Sequence, residues 1–336
     1  MKTNLLNTSN GLSTGFIGIF ATCVLIFTFV WHISVGAKEI PLKVVFDAIF
    51  FYEEGLFEHV VVSELRLPRA IMAVFVGAGL AVAGALMQGI TRNPLADPGL
   101  LGLMAGATFA VVVASFFNIT TLSLIPMIAS LGALISSIVV WSVARAVRGG
   151  ATPISMVLAG AAISAFVGAI TTALLLIDEQ SFDELRVWMT GTLTNRPDGL
   201  AYWAYAWLSF GIVLALGLSR QVTALSMGEE TASGLGVNSK KIRIAVLSSV
   251  IIVTAASVSL VGPMGFVGLV IPHFVRLIIG YDYRLIIPGS ALVGAIFLLF
   301  ADIIARTLMS PIEVSTGLVT AFVGAPILVW LVRTRL

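Results

Sequence analysis

The chain is expected to fold as an all-α integral membrane protein, and three observations carry that expectation. Of its 336 residues, 58% are hydrophobic and 11% are charged, against about 25% charged in an ordinary soluble domain. Neutral apolar stretches of about 20 residues recur along the whole chain, each enough to cross about 30 Å of hydrocarbon as a helix. Runs such as Val246 to Val261 are continuously apolar or small rather than alternating. That pattern favours helices over a closed barrel, the other structure that satisfies backbone amides in lipid.

The first apolar stretch, about Gly15 to Val35, is longer than the 7–15 residues of a typical signal-peptide core and ends without a small-x-small cleavage site. It reads as a membrane span. Polar punctuation then closes about ten transmembrane helices in all, at 15–35, 67–90, 97–117, 123–144, 152–177, 199–218, 243–262, 265–280, 285–308 and 316–332. The eighth is short and is interrupted by Gly268 and Pro272. Small residues recur within spans, as in Gly77-Ala-Gly79, Gly84-Ala85 and Gly102-x3-Gly106, and let helices approach closely where lipid supplies no hydrophobic drive. Two connections exceed ordinary turns. Residues 36–65 have room for a short amphipathic helix around Val44 to Phe51, and residues 219–242 form the other. With no linker or low-complexity tract, residues 1–336 read as one transmembrane domain.

The placement of Lys and Arg orients the spans. With the N-terminus in the cytoplasm, cytoplasmic segments hold 12 of 19 basic residues, namely Lys2, Arg92, Arg145, Arg148, Arg220, Lys240, Lys241, Arg243, Arg276, Arg284, Arg333 and Arg335. Outer segments hold 13 of 17 acidic residues, with patches at Lys38 to Glu64 and Asp178 to Glu184. Both termini are therefore expected inside. A net charge of +2 with no basic run speaks against nucleic acid as a partner. The single cysteine, Cys23, excludes an intramolecular disulfide and a cysteine-based metal cluster. Within the first span it reads as a buried inert thiol.

Enzyme signatures are missing. The sequence has no His-Glu-x-x-His helix, no Gly-x-Ser-x-Gly elbow, no paired carboxylates within a span and no Gly-x4-Gly-Lys-Ser/Thr phosphate cradle. ATP-driven transport would need a separate hydrolysing subunit. Buried charge is costly in a membrane and marks ion-coupled carriers, yet the spans are nearly clean of it. His273, in Ile271-Pro272-His273, is the one titratable side chain expected at depth. It either bonds carbonyls freed by Pro272 or belongs to a substrate path or gate. A secondary transporter and an intramembrane enzyme are the competing classes.

Several segments resemble one family, the permease subunits of iron-siderophore, haem and cobalamin ABC importers. Arg66-Leu-Pro-Arg69 opens the second span as in that family. Gln88-Gly-Ile-Thr-Arg-Asn93-Pro94-Leu-Ala-Asp-Pro98-Gly-Leu-Leu-Gly102 resembles its Gln-x4-Asn-Pro-Leu-Ala-x-Pro-x-x-Leu-Gly turn. Met227-Gly-Glu-Glu-Thr-Ala232-Ser-Gly-Leu235-Gly236 resembles its Leu-Gly-x3-Ala-x-x-Leu-Gly loop, with Met227 where leucine is usual. Gly262-Pro-Met-Gly-Phe-Val-Gly268-Leu-Val-Ile-Pro272-His273, Ala301-Asp302-Ile-Ile-Ala-Arg306 and Gly324-Ala-Pro326 continue the series in order. Pro311-Ile-Glu313-Val-Ser replaces a more usual Glu-Leu-Pro.

The resemblance implies a type II ABC importer permease in the bacterial cytoplasmic (inner) membrane. Its implied partners are a second permease subunit, identical or paralogous, two cytoplasmic ATPase subunits that bind ATP and magnesium, and an external substrate-binding protein. No cofactor or metal is expected on this chain. The implied cargo is a ferric siderophore, with haem or cobalamin as alternatives. Gly228, Glu229, Glu230, Ala232, Ser233, Gly234, Leu235 and Gly236 would couple to the ATPase. Physically, Ser226 and Glu229 have the spacing of a capping box, Gly234 or Gly236 can end the helix left-handed, and Ala232, Ser233 and Gly234 would present a narrow surface. Arg66, Arg69 and Arg306 would face glutamates on the binding protein. Otherwise they snorkel and pair locally, Arg306 with Asp302. Asn93, Pro94, Pro98, Gly262, Pro263, Gly268, Pro272 and His273 would shape turns or a gate.

Overall fold

Every apolar segment expected as a span contains a helix, and the breaks fall where proline, glycine or a capping side chain interrupts the pattern. The structure, a computed structural model, describes residues 11–36, 38–117, 119, 124–147, 152–177, 185–194, 201–310 and 312–335. The acidic patch at Asp178 to Glu184, Lys2, Arg148 and Pro311 lie outside the described residues.

Helix α1 spans Gly11–Ser34 and α2 spans Leu42–Phe50, where the short amphipathic helix was expected. Helix α3 (Phe57–Val60) runs through a π-helical turn (Val61–Arg66) into α4 (Leu67–Thr91). A 3-10 turn (Pro98–Leu101) precedes α5 (Leu103–Phe116), followed by α6 (Ile125–Ala146), α7 (Pro153–Ile177) and α8 (Ala201–Gly217). The 219–242 connection holds two helices, α9 (Ser219–Ser226) and α10 (Glu229–Gly234), where one short helix was expected. Then come α11 (Ser239–Val261), α12 (Val267–Ile279), α13 (Tyr283–Thr307) and α14 (Thr316–Arg335).

Six helical segments are long and apolar enough to cross a membrane: Gly15–Ser34, Phe57–Thr91, Ile125–Ala146, Ile154–Ile177, Ser239–Val261 and Tyr283–Thr307. Tyr202–Gly217 and Ser219–Ser226 make a seventh if their 56° bend lies within one span. The apolar parts of α5, α12 and α14 are shorter. Length and composition alone thus qualify six or seven of the described helices as crossings, and the three shorter apolar helices fall at the remaining spans of the expected ten.

Helix α4 is the axis of the molecule, flanked by α11, α12 and α13 and buried almost continuously from Val76 to Ile90. Its glycines explain the fit. A Cβ on Gly77 would overlap the Gly294 carbonyl of α13, and one on Gly84 would overlap Gly268 of α12. The backbones cross at these points because no side chain intervenes. Helix α1 lies against α13 and buries Thr28, His32 and Ile33. That single stripe leaves Cys23 exposed on the other side, which corrects the expected buried thiol.

Candidate functional site

The two ends of the bundle carry the residues singled out by the sequence. At one end, Asp302 of α13 is 0% exposed and gathers four side chains. Its Oδ1 accepts from Arg69 Nη2 at 3.0 Å and Thr316 Oγ1 at 2.7 Å. Its Oδ2 accepts from Arg69 Nε at 2.9 Å and lies 2.8 Å from His32 Nε2. Arg306, one turn further along α13, holds Nε 3.3 Å from the same Oδ2, an ion pair without hydrogen-bond geometry. Its Nη2 donates to the His32 carbonyl at 2.8 Å.

Arg66 is committed elsewhere. Its Nη1 donates to the carbonyls of Ile33 and Ser34, both at 2.8 Å, and its Nη2 to that of Lys38 at 2.5 Å. A cation thereby satisfies open carbonyls at the C-terminus of α1. Arg69 Nη1 reaches Glu313 Oε2 at 2.8 Å, and this carboxylate is the more exposed partner. The three arginines line one cavity of about 310 Å³ with Gly36, Thr194 and Glu313. They are brought together as expected and Arg306 does pair with Asp302, but Arg66 and Arg306 are buried rather than standing at the surface. His273 was expected to be the one titratable side chain at depth; His32 and Asp302 are buried as well. Only the i,i+4 pair of Asp302 and Arg306 was visible as spacing. His32 lies 270 residues from Asp302, so no local pattern announced it.

At the opposite end, the expected capping box of Ser226 and Glu229 does not form. Ser226 closes α9 instead, and its hydroxyl donates to the Thr223 carbonyl at 2.7 Å. Helix α10 starts from Gly228 at φ 122° with no side-chain cap, a backbone angle costly for any residue with a Cβ. Gly236, at φ 76°, ends it. Its N–H donates to the Ser233 carbonyl at 2.9 Å while Val237 N–H reaches the Ala232 carbonyl at 2.9 Å, the paired bonds of a left-handed helix stop. Gly234 is the last helical residue, not the terminator. Ala232 is 0% exposed and faces the protein, so it does not contribute to an outward surface. The outward face is Glu229, Glu230, Ser233 and Gly234, flanked by Met227 at 66% and Leu235 at 65% exposure. Glu229 is 3.5 Å from Arg243.

Between these ends, Pro272 interrupts α12. Proline lacks an N–H and so frees the carbonyl four residues earlier, that of Gly268. His273 does not take it. Gln88 of α4 does, donating Nε2 to the carbonyls of Leu269 at 3.0 Å and Gly268 at 3.4 Å. The Nε2 of His273 is buried and has no hydrogen-bond partner among the described residues. Nearby, Asn93 Oδ1 accepts from Leu95 N–H at 2.9 Å, and Asp97 Oδ1 accepts from Gly99 N–H at 2.7 Å, starting the 3-10 turn at Pro98. Gly262 ends α11 at φ 76°, where a Cβ would overlap the Trp188 carbonyl. The carbonyl of Pro263 lies close to Gly191. Among the described residues, no group of three or more His, Cys, Asp or Glu is placed to hold a metal ion.

Among the described residues, an all-helical bundle with long apolar spans and short exposed helices at one end marks a multi-pass membrane protein. Residues 24–334 match the model of the FecCD transport family, and the chain belongs to that family. It is thus a permease subunit of an ABC transporter and not an enzyme. It is 40% identical over 324 residues to the Fe(3+)-citrate import system permease protein YfmD of Bacillus subtilis, covering 94% of this chain and 93% of that one. It is also 40% identical over 284 residues to the hemin transport system permease protein HmuU of Yersinia pestis, covering 80% and 81%. A solved metal-chelate type ABC transporter in an inward-facing conformation superposes with a TM-score of 0.84 at 27% identity, over 95% of this chain and 99% of that one.

Proposed function

We propose that this chain is the membrane-spanning subunit of an ATP-driven importer that carries a ferric siderophore into the bacterial cytoplasm. In this reading it crosses the inner membrane ten times with both termini inside. It pairs with a second permease around one pathway, receives cargo from an external binding protein at the Asp302 end, and takes its power stroke from two ATPases at the α9–α10 end. The single observation that carries the reading is α10 itself. A short helix stopped by Gly236 holds Met227 and Leu235 in the open, at the end where basic residues concentrate. Apolar side chains held outward on an ordered helix suit a groove on a partner. Helix α9, which precedes it, lies against both α4 and α13, so a push on α10 would reach the core of the bundle.

At the other end, the Arg69–Glu313 pair is the accessible part of an otherwise closed network. A carboxylate of the binding protein would exchange with Glu313 on Arg69. The cargo assignment is supported by the Fe(3+)-citrate permease relative, with haem as its nearest rival.

The test is uptake into proteoliposomes holding the assembled transporter, offered ferric citrate, a ferric hydroxamate, haem and cobalamin in turn. ATP-dependent uptake of a ferric siderophore alone is the expected result. Uptake of haem or cobalamin instead would replace the cargo, and uptake driven by an ion gradient without ATPase would replace the mechanism. Orientation is tested separately in a Cys23→Ala background. Cysteine at position 55 should react with an impermeant thiol reagent from outside, and cysteine at 235 only after the membrane is opened.

A further inference from the structure

A cavity of about 610 Å³ opens at the α9–α10 end, between α4, α9, α12 and the start of α13. We propose that it binds a small solute bearing a carboxylate or phosphate group, with Arg276 and Arg92 as the cations that hold the oxyanion.

The argument begins with Pro272. The carbonyls left open near it take the Nε2 of Gln88, which leaves its Oε1 to accept from Arg276 Nη2 at 3.0 Å, further along α12. The same Nη2 also donates to the hydroxyl of Tyr283 at 3.1 Å. One nitrogen of the guanidinium is thus anchored twice from behind, while Nη1 has no partner among the described residues. A side chain braced in this way loses little freedom on meeting a ligand. Arg92 reaches the same cavity from the end of α4, where its backbone is left-handed at φ 53°, and it too has no ion pair among the described residues.

The wall carries one acid, Asp282, and it is already used. Arg284 Nε and Nη2 donate to its Oδ2 at 2.9 and 2.6 Å, and Thr223 donates to its Oδ1 at 3.2 Å. The cavity therefore keeps an excess of positive charge. The remaining Nη1 of Arg276 and the guanidinium of Arg92 are charged donors, and charge-assisted hydrogen bonds to carboxylate or phosphate oxygens are the strong ones. The volume lies within the roughly 300–1,000 Å³ usual for small-molecule sites. Its walls run from exposed Tyr281 and Met227 inward to buried Gln88 and His273. That depth suits a solute entering a pocket better than a protein lying across a face.

The test titrates citrate, and separately inorganic phosphate, into the purified chain in nanodiscs by calorimetry, with chloride at matched ionic strength as control. Arg276→Gln and Arg92→Gln are compared with the parent chain. Binding of either oxyanion, weakened about tenfold or more in both variants, is the expected result. Arg92 is exposed, so Arg92→Gln decides the matter if Arg276→Gln fails to fold. Equal binding in the variants, or an equal response to chloride, would overturn the site. So would ATPase association that weakens in Arg92→Gln while neither oxyanion binds the parent chain, since the cavity would then be a protein-docking surface.

Discussion

At one end of the bundle Asp302 gathers His32, Arg69, Arg306 and Thr316 away from solvent, whereas at the other Glu229, Glu230, Lys240 and Lys241 stand exposed around α10. The two sets of charges face different physics. A buried pair interacts through a low effective dielectric and cannot be replaced by water, while an exposed pair is screened and exchanges freely with solvent. The first end therefore spends its arginines on joining α1, α4, α13 and α14. The second keeps its surface available to a partner.

The largest test of that contrast is Asp302→Ala. It would leave Arg69 and Arg306 facing each other without their shared carboxylate, and breaking a buried ion pair costs about 3–5 kcal/mol. Membrane yield and melting temperature in detergent should both fall sharply. Glu229→Ala, which removes the 3.5 Å pair with Arg243 at the other end, should cost about 1 kcal/mol or less. Similar losses in the two variants would mean that burial does not separate the two ends.

Helix α10 supplies the next comparison, between its own two faces. Ala232→Trp forces a large ring into a fully buried position, and overpacking costs about 1–3 kcal/mol. Ser233→Trp places the same ring in the open. The first should lower the melting temperature of the isolated chain. The second should leave it unchanged and weaken pull-down of the ATPase. A Ser233→Trp chain that binds ATPase and transports normally would remove α10 from the coupling surface.

These two faces also show what could be read from the sequence. Apolar length placed the helices, because burial in lipid is a matter of local composition. Glycine spacing announced the close crossings of α4, since a missing side chain acts wherever backbones meet. The Gly236 stop was legible for the same local reason. Which way Ala232 points was not, because the register of a six-residue helix is set by its packing on the rest of the chain. Ser226 misled because a capping box requires its residue to lie outside the helix, and packing of α9 drew it inside. That Gln88 rather than His273 takes the open carbonyls was hidden for a related reason. The carbonyls near Pro272 face α4, and only the folded arrangement of the two helices reveals that.

A smaller effect separates fork geometry from charge at the Asp302 end. Arg69→Lys keeps the cation but cannot span Asp302 and Glu313 with three nitrogens. A hydrogen bond to a charged group contributes about 1.5–3 kcal/mol, so a loss near the lower end is expected, well short of Asp302→Ala. A melting temperature equal to that of the parent chain would mean that charge alone holds this cluster.

The smallest predicted effect lies at the other end, where a half-buried charge caps a helix. Asp282 accepts from the backbone N–H of Arg284 at 3.0 Å at the start of α13 and pairs with the Arg284 side chain. The Arg284 side-chain hydrogen bond, aided by that backbone N–H and by Thr223, holds this carboxyl below the ordinary carboxylate range. A lowered folded-state pKa stabilises when the group is ionised. The contribution should therefore be complete above the unfolded value of about 3.9 and disappear as pH falls through the lowered folded value. Asp282→Asn retains a capping oxygen and removes only the charge, so it should cost about 1 kcal/mol or less at pH 7. Melting temperatures of the parent and Asp282→Asn chains, taken from pH 7 down to pH 3, should converge at the acid end. A gap that widens with falling pH would show that the charge does not support this end of the bundle.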